Sequence, residues 1–214
     1  MRRILFAPLL CAFAACTIVP GVADPASDSP DLQWRPTTSF KDAASYADAI
    51  QVWATPEDIN AWIGARFEYD ASRAILLSET QRNQSAQLPI YPPNDFFVAP
   101  SGVCVDLARF AVETLQAIDP GTKPTYLMIE FAPVTIAGNT LRLHWLASFK
   151  RDGKYYFFAD SKRPGRIAGP YDSTREFIDE YTKYRGREVI AFRELDSYQR
   201  KQRTMAAKQS RERR

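Results

Sequence analysis

Between Cys104 and Asp160 the hydrophobic spacing of this chain changes period, and that change narrows the architectures open to it. Cys104, Leu107, Ala108, Ala111, Leu115 and Ile118 recur at helical intervals, and Asp-Pro-Gly at 119–121 closes the helix they imply. The next stretches alternate with period two: TYLMIEF from Thr125, LRLHWLASF from Leu141, and KYYFFAD from Lys154 to Asp160. Asp152-Gly153 is a hairpin turn between the last two. A central helix followed by an antiparallel sheet is an α+β arrangement, with Cys104 at the helix start.

The flanking segments fit that frame. Thr55 can cap a helix beginning at Pro56, Glu57 and Asp58 oppose its dipole, and Ile59, Trp62, Ile63 and Phe67 share its apolar face. SETQRNQSAQLPIYPP, residues 78–93, reads as loop. DSTREFIDEY from Asp172 is a further capped amphipathic helix, and EVIAFREL is a final strand. No internal repeat interrupts the chain, and 214 residues suit one domain with short appendages.

The ends differ from the body. Residues 1–23 combine a basic start (MRR) with an apolar run too short to span a bilayer, the pattern of an export signal. Two processing readings stay open: cleavage after Gly-Val-Ala, before Asp24, or a lipoprotein signal ending at residue 15, which leaves Cys16 lipidated. Both send the chain to a bacterial periplasm or cell envelope, and both leave Cys104 as the one free thiol, so no intramolecular disulfide is expected. Residues 24–40 read as a tether, 41–197 as the folded domain, and 198–214 as a basic tail with seven Lys or Arg against one Glu. Without signal and tail the body has 19 basic and 24 acidic residues, which argues against nucleic acid as a partner. Membrane contact is expected only through Cys16 or the tail.

The residues that carry chemistry lie in the central block. A thiol at a helix N-terminus meets unpaired N–H groups and the positive end of the dipole, which favour the nucleophilic thiolate. Reactivity of Cys104 well below pH 8.5, the ordinary thiol value, is therefore expected. Gly102 permits a tight entry to the helix. Asp106 reads as a helix-start residue rather than a catalyst. His144, the chain's one histidine, alternates away from Leu143 and Trp145 onto a mixed face with Arg142, Leu146 and Ser148, which suits a cleft wall. Asp160 can orient it if the hairpin register allows. A two-residue loop pairs Arg151 with Lys154 and puts Asp160 opposite Trp145, on the wrong face. A three-residue loop with Gly153 left-handed pairs Lys150 with Lys154 and puts Asp160 opposite His144. The bulged register is the one expected. Cys104, His144 and Asp160 would then be nucleophile, base and orienting carboxylate. A Cys/His/Asp zinc site is disfavoured, because closed structural sites take four ligands dominated by Cys and His. No phosphate loop or dinucleotide motif occurs, and no metal or other cofactor is expected.

These residues resemble the transglutaminase-like superfamily of papain-type cysteine enzymes, whose bacterial members include exported cysteine peptidases. The pattern around the nucleophile is matched by Pro93, Asp95 (where the family has Glu), Phe97, Gly102, Cys104, Asp106 and Ala108. The second pattern is HWLASFKRDGKYYFFAD, and the upstream helix ending in Tyr-Asp is WIGARFEYD. The resemblance implies a papain-like core and a Cys104, His144, Asp160 triad. It implies a hydrolase of peptide or amide bonds working through a thioester, with transglutaminase-type acyl transfer or an inactive envelope binding module as alternatives. The Cys104 N–H would be one oxyanion donor, with Tyr91 and Asn94 as candidates for the second.

Overall fold

The computed structural model describes residues 27–31, 39–82 and 88–199. Residues 1–23, expected to be an export signal, with Cys16, part of the stretch expected to be a tether, and nearly all of residues 198–214 lie outside the described residues. Among those described, seven helices and two sheets follow in the order α1 (Tyr46–Val52), α2 (Pro56–Arg66), β1 (Glu68–Tyr69), α3 (Ala71–Leu76), α4 (Glu79–Arg82), α5 (Pro93–Val98), β2 (Ser101–Gly102), α6 (Cys104–Ile118), β3 (Thr125–Ile136), β4 (Asn139–Arg151), β5 (Lys154–Phe158), β6 (Ala168–Tyr171), α7 (Thr174–Arg185) and β7 (Val189–Leu195). The large sheet has strand order β6-β5-β4-β3-β7, with antiparallel pairing throughout. The fold is α+β, as expected. No described helix is long and apolar enough to cross a membrane.

The large sheet is packed on both faces. Strand alternation sends Tyr126, Met128, Trp145, Ala147, Phe149 and Phe158 to one face, where they meet Leu107, Ala108, Ala111 and Leu115 of α6 and the aromatic cluster of α1, α2 and α5. Leu127, Ile129, Phe131, Leu146 and Phe157 point the other way, against Phe177, Ile178 and Tyr181 of α7. Each fully buried side chain of this size contributes roughly 1.5–3 kcal/mol before entropy is counted. Both sets are contiguous, so the sheet is a rigid central layer.

Capping explains where the helices start. The Thr55 hydroxyl accepts from Asp58 N–H, and the Asp58 carboxylate accepts from Thr55 N–H, a reciprocal capping box. The Ser173 hydroxyl caps α7 by accepting from Glu176 N–H, and Gly186 ends that helix left-handed. Residues 78–93 are not all loop: α4 forms at 79–82, and Pro93 opens α5. Thr80 Oγ1 accepts from Thr140 N–H, and Glu79 pairs with Arg142, so α4 docks on β4.

The hairpin register corrects one expectation. Arg151 pairs with Lys154 and Ala147 with Phe158. This is the two-residue Asp152-Gly153 turn, both residues having positive φ, and no bulge is inserted. Type I′ geometry matches the strand twist, so the shorter loop prevails.

Candidate active site

Helix α6 begins at Cys104, with Val103 as N-cap in extended conformation. Two constraints aim that start. A short parallel bridge pairs Glu68 with Ser101 and Tyr69 with Gly102. Behind Gly102 there is little room: a Cβ there would meet Asp106 and Phe96 atoms at 3.1 Å. Asp106 is fully buried and accepts from Val103 N–H at 3.1 Å, from Tyr91 N–H at 3.0 Å, and from Arg73 Nε and Nη2 at 2.7 and 2.8 Å. It is the helix-start residue expected, and it also anchors α3 and the segment before α5.

His144 and Asp160 come together by a route the register alone does not provide. His144 Nε2 lies 3.1 Å from Asp160 Oδ1. In the observed register Asp160 should fall on the Trp145 face, but strand β5 ends at Phe158, and Ala159 adopts φ 57°. One left-handed residue breaks the alternation and turns Asp160 back to the imidazole. Lys162 N–H also donates to Asp160 Oδ1, at 3.0 Å, while Arg163 Nε is 3.4 Å from Oδ2. Burial opposes ionisation of Asp160, but the bond and charge of His144 overcome it and hold the carboxyl well below its usual range.

The His144 face is not a cleft wall. His144 is completely buried, because α7 covers it: the Tyr181 ring stacks on the imidazole with centroids 5.9 Å apart. The Tyr181 hydroxyl donates to Asp160 Oδ1 at 3.0 Å, lies 3.0 Å from His144 Nε2, and accepts from Arg185 Nη1 at 3.1 Å. With Nε2 engaged there, Nδ1 is the nitrogen left for the sulfur.

That nitrogen shares its space with a carboxylate from far upstream. The donor atoms of Asp28, Cys104 and His144 all lie within 4.8 Å of one another. Asp28 Oδ1 is 3.2 Å from His144 Nδ1, close enough for an ion pair, although the angle falls short of a hydrogen bond. Arg185 Nη2 donates to the same Asp28 oxygen at 2.7 Å. Asp28 lies within the stretch read as a tether, and residues 27–31 here rest against the site. Burial works against His144 protonation, but the Tyr181 oxygen beside it and the flanking Asp28 and Asp160 carboxylates raise its pKa well above 6.5. Cys104 moves opposite to expectation: burial pushes the thiol up, the Asp28 charge adds to this, and the contacts with His144 and Trp145 N–H do not compensate. Half-buried Tyr69 lies close enough for the Asp28 and Cys104 charges to add to the rise that burial gives its phenol.

The oxyanion candidates are placed as follows. Tyr91 lies under Arg73, ring centroid to guanidinium 3.8 Å, with its N–H on Asp106. Asn94 is exposed on α5 with its amide 3.5 Å from Asp95 Oδ1. Sulfur, imidazole and carboxylate have the composition of an incomplete transition-metal site, but Arg185 already supplies positive charge at the Asp28 oxygen. Asp28, Tyr181 and Arg185 carry no motif that sequence reasoning could single out. Ser161 Oγ and the Asp28 carbonyl meet across 133 residues.

The family profile described as Transglutaminase-like domain matches residues 45–189. The chain belongs to this family. Its matched span contains Cys104, His144 and Asp160, and ends where β7 begins. No curated protein matches the chain. Among solved structures, Legionella pneumophila LapG in its calcium-bound form is similar at 20% identity and a TM-score of 0.32, over 52% of this chain and 54% of that one. The match thus spans about half of that protein.

Proposed function

We propose that this transglutaminase-like protein is an exported cysteine hydrolase that cleaves amide or peptide bonds through a Cys104 thioester. The reading is supported above all by one observation: the sulfur at the start of α6 lies within 4.8 Å of an imidazole whose other nitrogen is held by Asp160. In the reaction, the Cys104 thiolate attacks the carbonyl carbon and a C–S bond forms. His144 Nδ1 gives its proton to the leaving amine as the C–N bond breaks. Water, deprotonated by His144, then attacks the thioester, the C–S bond breaks, and a carboxylate leaves. Asp160 keeps the ring oriented and balances the imidazolium charge. The Cys104 N–H, at the first helical position, is the oxyanion donor assigned here. Residues 1–23 support an envelope location, with lipidation of Cys16 as the anchored form.

The test uses hydroxylamine, which intercepts thioesters. The full chain, its Asp28→Asn variant and Cys104→Ala are incubated with an envelope peptide extract, and new carboxyl ends and hydroxamates are read by mass spectrometry. Both products are expected only where Cys104 and His144 are intact. Hydroxamate alone would mean acyl transfer. If Cys104-dependent products are absent from every chain, and His144→Ala leaves the iodoacetamide rate at Cys104 unchanged, the hydrolase reading falls.

A further inference from the structure

We infer that residues 27–31, Ser-Asp-Ser-Pro-Asp, are a built-in occupant of the active-site groove, holding the Asp28 carboxylate where a thiolate would otherwise pair with the His144 imidazolium. The inference rests on reading Cys104 as the nucleophile, and concerns how that site is regulated and what displaces the occupant.

The segment is held along its length. The Ser161 hydroxyl donates to the Asp28 carbonyl at 2.7 Å, and Asp31 N–H donates to the Lys162 carbonyl at 2.8 Å. Arg185 Nη2 reaches both the Asp28 carboxylate at 2.7 Å and the Ser27 carbonyl at 3.4 Å, and the Tyr184 hydroxyl lies 3.4 Å from Asp31 Oδ2. Bonds to the main chain together with a guanidinium on the acidic side chain are how a short acidic peptide is recognised, and the segment bends at Ser29, whose N–H donates to Ser27 Oγ at 3.1 Å. Ser161, Lys162 and Arg185, which hold the segment, are themselves buried.

Charge and space both favour a silent site. His144 stands between the Asp160 and Asp28 carboxylates, at 3.1 and 3.2 Å. One imidazolium with two anions has no need of a third, so the thiol keeps its proton. Among the described residues, the other charged or titratable groups facing this cluster are Arg185, Tyr181 and Tyr184 from α7, Lys162 and Arg163 beyond β5, Tyr69 from β1, and Asp31 of the segment itself. With the segment in place Cys104 is 7% exposed and His144 0%, which leaves no approach for a carbonyl. Acidification does not release the segment: burial opposes ionisation of Asp28, but His144 and Arg185 outweigh it and hold the carboxyl far below its usual range. Release therefore requires displacement, by a peptide carrying a carboxylate at the Asp28 position or by withdrawal of the segment itself.

Iodoacetamide labelling of Cys104 in the full chain, followed from pH 5.5 to 9, tests this. Asp28→Asn is expected to label at least about tenfold faster at pH 7, since a one-unit fall in thiol pKa gives tenfold more thiolate, and to shift the profile to lower pH. Ser161→Ala, which loosens the segment without touching the thiol or imidazole, is expected to shift it the same way but less. Added Ser-Asp-Ser-Pro-Asp peptide should slow the Asp28→Asn chain, whereas the peptide with Asn at both acidic positions should not. If Asp28→Asn and Ser161→Ala both label at the wild-type rate while His144→Ala slows labelling, the occupant is overturned and the hydrolase reading stands. If His144→Ala changes neither chain, both fall.

Discussion

Asp106 supports the start of α6 at Cys104 and Tyr181 supports His144, and their separate contacts predict separate failures. Asp106 ties α3, the chain before α5 and the N-cap of α6 into one point, with the Arg73 guanidinium as counter-charge. Removing the carboxylate leaves Arg73 charged, nearly buried and unmatched. Asp106→Ala is expected to cost about 3–5 kcal/mol in urea unfolding, and replacing both residues by apolar ones should recover much of that loss. Tyr181 works on the imidazole instead. Tyr181→Phe keeps the ring stacked on His144 but loses the hydroxyl that donates to Asp160. The net stability change should be only about 1 kcal/mol. The labelling profile of Cys104 should move by more than such a loss implies, because the imidazole is less firmly oriented. A purely structural Tyr181 would change the unfolding midpoint and leave that profile in place.

At the level of elements, the route from β5 to Asp160 depends on Ala159. Its φ of 57° is unfavourable for a residue with a Cβ by roughly 1–2 kcal/mol, and a β-branched residue tolerates it less. Ala159→Val is expected to pull the backbone toward extended geometry, swing Asp160 to the Trp145 face, and slow Cys104 labelling as much as Asp160→Asn does. Ala159→Gly should keep the labelling rate. Equal labelling by the Val variant and wild type would show that Asp160 reaches His144 without this turn. The same locus explains what was legible in sequence. Periodicity reveals α6, β3, β4 and β5 because each repeats one local pattern over several residues. The Asp160–His144 partnership was found through a bulge the chain does not make, since a single left-handed alanine leaves no periodic trace. In sequence the His144 face looks open, because only the tertiary placement of α7 covers it. Asp28 was hidden further still: a Ser- and Pro-rich stretch looks like linker until the buried Arg185 that receives it is in view.

For the whole molecule, the buried charge cluster fixes how stability varies with pH. Asp28 and Asp160 both ionise more readily folded than unfolded. Their contribution is therefore fully present above the unfolded carboxyl value of 3.8 and is lost only as pH falls below it. His144 has the opposite sign. Its folded pKa is raised well above 6.5, so its contribution is complete below 6.5 and fades as pH rises toward the folded value. Cys104, also raised, adds a loss above the unfolded thiol value of 9.0, since the unfolded thiol releases its proton first. The urea midpoint should accordingly form a plateau between about pH 4 and 6.5 and decline on the alkaline side before the thiol titrates. His144→Gln removes the group responsible for the first part of that decline. It should lower the plateau while flattening the slope between pH 6.5 and 8.5, whereas Cys104→Ala should affect only the region above. An alkaline slope that survives His144→Gln would mean that the imidazole is not the proton-binding centre of the cluster. The pairing of His144 with Asp28 would then have to be abandoned with it.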